Sequence, residues 1–299
     1  MKRTSVIFAG FIIVAIGLRM LELSVESFYE SSIRLKTWPK TEYSNLACKY
    51  STEQVRNILD QPFTYLGKGR QFFVFESACG KYVLKFIKCQ RVNTPPLVKH
   101  FPLPKVLDDI RDERLQEKQK RIEGIFSSSF LAATELSENT GVIYAHLSTN
   151  PDVEKEVEVI DKLGRSHRIL LDNYPFVLQE KAEYVIPTFD RLINKRKYDE
   201  VQKRMDQLIK LLVNDAKAKV YDVDSGAIMR DNIGFLQDKA IHVDIGTFIR
   251  QDNDLTPAYL HKHLRRLDPL LSWISEKDPK LAQVFQEKIR QAICQEAAF

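Results

Sequence analysis

The stretch that most restricts the fold is FTYLGKGRQFFVFESACGKYVLKFIK, from Phe63 to Lys88. Aromatic and β-branched residues crowd both sides of small glycine turns, so it reads as strand, Gly-rich turn, strand, SACGK turn, strand. In the third strand Lys85 stands among Val83, Leu84, Phe86 and Ile87. Alternation places Lys85 on one face with Val83 and Ile87, and Leu84, Phe86 and Lys88 on the other, with Lys88 toward solvent. A lysine in so apolar a strand needs an anionic partner, because burying an unpaired ammonium is costly. The alternative is an edge lysine that snorkels. Gly67 and Gly69 let backbone N–H groups approach a phosphate without side-chain obstruction. The same pair also serves an ordinary hairpin.

Residues 24–50 read as a polar connector. Ser51 with Gln54 three positions on is a capping box, opening a short helix to about Leu59. A prolyl stretch, Asn93 to Pro104, breaks the chain. From Lys105 to about Leu136 the pattern is helical, with Val106, Leu107, Ile110, Leu115 and Ile122 on a loose apolar stripe and a charged, solvated face. Gly141 to Leu147 is a strand, a hairpin turns at Lys162-Leu163-Gly164, and Tyr174 to Glu183 is a strand that turns polar at its end. From Tyr198 a helix follows, with Val201, Met205, Leu208, Ile209, Leu212 and Val213 on one face, and further helices run to Phe299. Strands come first and helices later, with one helix among the strands. That order predicts an α+β chain of two lobes, a mostly β one before an α one.

Length and composition set the outer limits. The 299 residues suffice for one large domain or two lobes, and 44% hydrophobic with 28% charged is ordinary globular composition. The net charge of +5 is spread among alternating signs, so no nucleic-acid partner is expected. Cys48, Cys79, Cys89 and Cys294 have no CxxC spacing and no accompanying His cluster, which argues against zinc; reduced thiols are the plain reading, although Cys79 and Cys89 share one hairpin region. Met1-Lys2-Arg3 precedes an unbroken apolar run from Val6 to Leu18. That run is shorter than the roughly 20 residues of a full span. It fits the core of a signal peptide, and no clear small-x-small cleavage site follows. If Arg19 and Glu22 snorkel, residues 5–23 form an uncleaved anchor; a buried helix is the third alternative. Lys2 and Arg3 favour an N-terminus inside, with the rest of the chain across the membrane.

A second stretch, Val223 to Phe248, carries an Asp, an Asn in a Gly-flanked turn, and Asp244-Ile245-Gly246 after a short apolar run. Two carboxylates and a carboxamide around two short strands can hold a divalent cation and a phosphate, or can be solvated turns.

Taken in order, these segments resemble the protein-kinase-like superfamily, in an atypical, bacterial-type form with a minimal C-lobe. The resemblance covers roughly residues 61–250. LGKGRQFFVF resembles the Gly-rich loop, VLKF the strand bearing the phosphate-binding lysine, and FVLQEKAE the strand into the inter-lobe hinge. MRDNIGF resembles the segment of the metal-binding Asn, and IHVDIGTF the Asp-Phe-Gly segment. It implies a β-rich N-lobe (61–182) and a small helical C-lobe (183–299), after a membrane anchor or signal peptide (1–24) and a connector with a short helix (25–60). It further implies ATP contacting Gly67, Gly69, Lys85, Gln179 and Lys181, and Mg²⁺ held by Asn232 and Asp244.

The chain departs from the family at several points. The family's catalytic Asp precedes the Asn by five residues, where this chain has Ala227. Aligning VYDVD instead puts Asp224 at the base and Asp222 at the family's His, with a loop three residues longer. Asp231 adjoins Asn232. Glu113, Glu117 and Glu123 all compete to pair with Lys85, and Glu117 is the preferred one. No Ala-Pro-Glu-like segment follows Asp244. His242 reads as a packed histidine rather than a base. Three functions therefore stand: an ATP-dependent phosphotransferase acting on a protein or small-molecule acceptor; a catalytically inactive, membrane-anchored pseudokinase scaffold; and a membrane-associated structural protein that binds no nucleotide. A membrane-anchored location, or secretion after signal cleavage, accompanies each.

Overall fold

The computed structural model describes residues 28–39, 43–90, 92–93, 104–224 and 232–296. The apolar N-terminal run, most of the prolyl stretch and residues 225–231, with Ala227 and Asp231, lie outside them. Among the described residues no helix is long and apolar enough to cross a membrane.

The chain enters through α1 (Glu30–Ile33), β1 (Leu46–Ala47) and α2 (Thr52–Ile58). Ser51 and Gln54 close the capping box at the start of α2, with Ser51 Oγ accepting from Gln54 N and Gln54 Oε1 from Ser51 N. Next come β2 (Phe63–Lys68), β3 (Phe72–Ser77) and β4 (Tyr82–Ile87), antiparallel neighbours as their alternation requires, with a register shift between Tyr65 and Gly67. They are followed by α3 (Lys105–Thr134), α4 (Ser137–Thr140), β5 (Val142–His146), β6 (Glu156–Ile160), β7 (Ser166–Leu170) and β8 (Phe176–Glu180). These strands form one eight-stranded curled sheet in the order β1-β5-β8-β4-β3-β2-β6-β7.

One face of the sheet buries Phe28, Phe73, Phe75, Phe86, Tyr144 and Phe176. The Phe28 ring meets Phe73 and Phe75 edge-on at 5.4 and 4.9 Å. Phe28 and Ile33, within the stretch that reads as a polar connector, are thus core, on the strength of two large side chains. On the other face, Ile122, Ile125 and Phe126 of α3 pack with Phe72, Ile87 and Val177. Only the last half of α3 is gripped in this way. Val106, Leu107 and Ile110 are exposed, so of the expected stripe just Ile122 reaches the core: the first turns of α3 extend beyond the sheet.

The remaining chain is mostly helical: β9 (Glu183–Tyr184), α5 (Val185–Asn194), α6 (Tyr198–Lys217), β10 (Val220–Asp222), β11 (Ile233–Leu236), β12 (Lys239–His242), β13 (Phe248–Arg250), α7 (Pro257–Leu264), α8 (Asp268–Lys277) and α9 (Pro279–Glu296). Phe189, Met205, Leu208, Leu212, Leu264 and Phe285 form its separate core. The periodicity of α6 is realised, with Val201, Met205, Leu208, Ile209, Leu212 and Val213 all buried. Two small sheets, β10-β13 and β12-β11-β9, join the cores: Ile233, Phe235 and Ala240 pack in the helical core, while Val220, Ile245 and Phe248 pack with α3 against the large sheet. The four cysteines are free; Cys79 is exposed and Cys89 buried.

Candidate functional site

A cleft of about 360 Å³ opens between the curled sheet and the β11-β12 hairpin. Its lining includes Gly67 and Gly69 from the β2–β3 turn, Val83 and Lys85 from β4, Gln179 at the end of β8, Lys181 and Ala182 just after it, and Asn232 and Asp244. Sheet register explains part of this convergence. Val83 pairs with Gln179 and Lys85 with Val177, so β4 and β8 present Val83, Lys85 and Gln179 on one face while Leu84 and Phe86 fill the core behind. A Cβ added at Gly67 or Gly69 would meet nothing within 4 Å. Packing inside the protein therefore does not demand glycine at either position.

Lys85 is 4% exposed, and its Nζ donates to the backbone carbonyl of Val243, next to Asp244. Burial pushes its pKa down to about 8, against the opposing pull of the Asp244 carboxylate. Lys88 is equally buried rather than solvent-facing: its Nζ donates to the Gly69 carbonyl and sits 4.8 Å from the Phe73 ring centre. The Gly-rich turn is thereby tied to β4. The Lys181 ammonium lines the cleft but pairs with Glu76 at 2.6 Å.

Asn232 and Asp244 are brought side by side through the backbone. Asn232 O accepts from Val243 N at 2.7 Å and from Asp244 N at 3.2 Å, and Asp244 Oδ1 accepts from Gly246 N at 3.1 Å. Their side chains are partly exposed at the cleft. Two oxygen donors, one of them anionic, are a donor set that fits Mg²⁺, which characteristically binds few protein oxygens and completes its shell with water and phosphate.

The two aspartates proposed for the catalytic loop part company. Asp222 is buried against Arg266, Oδ2 to Nη2 at 2.8 Å, and its Oδ1 accepts from Thr247 Oγ1 at 2.5 Å and from Asp224 N at 3.1 Å. Fully engaged in this way, Asp222 is a structural anchor. Asp224 is exposed. His242 is a packed histidine, with Nε2 2.7 Å from Asp215 Oδ2.

Glu117 does not reach the cleft. It is exposed on the projecting half of α3, as is Glu113, and Glu123 accepts from Gln119 at 3.1 Å. The buried end of α3 presents Ser128 instead, whose Oγ donates to the Ile245 carbonyl at 2.6 Å and accepts from Phe248 N at 2.7 Å. Gln71, at the tip of the Gly-rich turn, donates from Nε2 to the Gly246 carbonyl at 2.9 Å. Ser128, Gln71, Thr247 and Arg266 escaped sequence reading. A run of three serines within the apolar end of a helix was the one local signal; nothing near Arg266 marks it.

No protein-family model matches the chain, and no curated protein matches it. Among solved structures it is similar to WbdD, described in one determination as a bifunctional kinase-methyltransferase, at 13% identity. The two determinations give TM-scores of 0.34 and 0.32, with 81% and 79% of this chain covered. The chain spans about half of WbdD, 52% and 50% of that chain. Similarity this low carries no weight for the site, which rests on its own residues.

Proposed function

We propose that the chain is an atypical kinase-like phosphotransferase that uses Mg-ATP. The observation that carries this reading is the meeting, in one cleft, of Gly67 and Gly69, a buried lysine, an amide and a carboxylate of separate segments, and the strand end Gln179 to Ala182. In this reading the base lies against Gln179 to Ala182, the phosphates lie under the Gly-rich turn, and Lys85 neutralises phosphate charge. Asn232 and Asp244 hold the cation. Bound there, Mg²⁺ supplies charge neutralisation on the phosphate oxygens. Asp224 takes the proton of the acceptor hydroxyl as the γ-phosphoryl group passes to that oxygen and ADP leaves; positioning and electrostatics supply most of the rate.

A second reading is a nucleotide-binding scaffold without transfer. Two observations favour it: Lys85 is directed to a backbone carbonyl rather than to a carboxylate of α3, and Asp222 is sequestered by Arg266. Membrane attachment through the N-terminal run is proposed for either.

The test is a thermal shift of the full chain with Mg-ATP, using wild type, Lys85→Ala and Asp244→Asn. A magnesium-dependent rise lost in both variants supports the cleft. Transfer of labelled phosphate, abolished by Asp224→Asn while the shift remains, separates enzyme from scaffold. No shift at millimolar Mg-ATP leaves the structural, non-nucleotide reading.

A further inference from the structure

The segment bearing Asp244 is held from the sheet side by four side chains, each from a different element. The carbonyls of His242, Val243, Ile245 and Gly246 accept from Gln179, Lys85, Ser128 and Gln71 respectively. Those donors belong to β8, β4, α3 and the β2–β3 turn. Gln179 Nε2 lies 2.8 Å from the His242 carbonyl and 2.6 Å from that of Thr140, which fixes the orientation of its amide, since carbonyls only accept.

Ser128 differs from the other three. It is fully buried, and it makes two bonds that bracket the turn after Asp244: one to Ile245 before Gly246, one to Phe248 after it. Its hydroxyl carries one proton, so the roles are assigned, donor to the Ile245 carbonyl and acceptor from the Phe248 amide. Of the α3 carboxylates expected to reach the cleft, Glu113 and Glu117 are exposed and Glu123 accepts from Gln119.

From this we infer that Ser128 is a positioning residue for the metal ligand Asp244, and that α3 is coupled to the cleft through this hydroxyl rather than through a carboxylate paired with Lys85. The inference rests on the Mg-ATP reading above. Removing Ser128 Oγ frees the backbone on both sides of Gly246, and with it the orientation of the Asp244 carboxylate. Groups that orient metal ligands typically contribute about 10–100-fold to metal affinity.

The experiment measures the Mg²⁺ concentration giving half the maximal thermal shift at fixed ATP, and the shift with ATP in excess EDTA, on the full chain. The set is wild type, Ser128→Ala, Ser128→Thr and Glu117→Gln. Ser128→Ala is expected to raise the Mg²⁺ midpoint at least tenfold with the metal-free shift unchanged, Ser128→Thr to recover most of it, and Glu117→Gln to match wild type. If Ser128→Ala does not fold, Ser128→Cys, similar in size and feeble as a hydrogen-bonding group, takes its place. An unchanged midpoint in Ser128→Ala, an equal loss with and without metal, or a raised midpoint in Glu117→Gln overturns the inference alone. Absence of any nucleotide shift in wild type overturns the Mg-ATP reading, and this inference with it.

Discussion

The side-chain amide of Gln71 donates to the carbonyl of Gly246 across 175 positions of sequence, at 2.9 Å. This accounts for glycine at 246 in a way no local rule does. A Cβ built there would lie 1.8 Å from Gln71 Oε1 and 2.5 Å from its Cδ. The tip of the Gly-rich turn and the Asp244 segment are in contact, and the small residue is what permits it.

Gly246→Ala should therefore expel the Gln71 side chain rather than break the backbone, since the crowding atoms end a flexible chain. The expected loss is that of one partly buried hydrogen bond, about 1 kcal/mol. Gln71→Ala should lose about as much, and the double variant little more than either single one. Urea denaturation of all four proteins gives the cycle; strict additivity would mean that the two residues do not communicate.

Arg266 and Asp222 form a buried ion pair, with side chains 3% and 1% exposed. Arg266→Met leaves the Asp222 carboxylate without its counter-charge, and breaking such a pair costs roughly 3–5 kcal/mol. Thr247→Val, which removes one hydrogen bond to the same carboxylate, should cost about 1 kcal/mol. Equal midpoints of chemical denaturation for Arg266→Met and wild type would contradict the assignment.

Lys85 makes stability depend on pH in a direction opposite to a paired lysine. Its folded pKa of about 8 lies below the ordinary value of 10.5. Between those values the unfolded chain binds more protons, so stability should rise with pH from 8 toward 10.5 and carry the full penalty below 8. The whole effect is on the order of 3 kcal/mol at 1.36 kcal/mol per pKa unit. Lys85→Met should flatten that rise in denaturation curves taken from pH 7 to 10. Phosphate charge in the cleft favours the ammonium, so Mg-ATP binding at pH 8.5 should take up protons. Calorimetry in buffers of different ionisation enthalpy reads that uptake.

Ser51→Ala should remove the cap of α2 and cost about 1 kcal/mol. Because α2 carries Val55 into the core beside Phe63, the loss should appear in global unfolding rather than as local fraying.

Elements whose side chains repeat with one period were legible in advance. The three strands around Lys85, the hairpin at Gly164 and the buried face of α6 follow from alternation and helical spacing, each a property of neighbouring residues. The meeting of Gly67, Lys85, Asn232 and Asp244 in one cleft was implied by the resemblance to the protein-kinase-like superfamily, not by alternation or spacing. The carboxylates of α3 misled because a loose apolar stripe does not say how far a helix overhangs its sheet. Glu117 falls on the overhang.

Local sequence by itself determined the three strands around Lys85, the helix α6, the cap of α2 and which lysine stands in an apolar strand, because those depend on residues within one or two turns of each other. Tertiary structure decided what those groups touch. Lys85 met a carbonyl, Lys88 turned inward to Gly69, Asp222 was claimed by Arg266, and Ser128 took the place expected of a carboxylate. Each partner lies 19 to 158 positions away. Such pairings are selected by the cost of leaving a buried polar group unmatched, a quantity that exists only once the sheet, α3 and the helical core have closed around it.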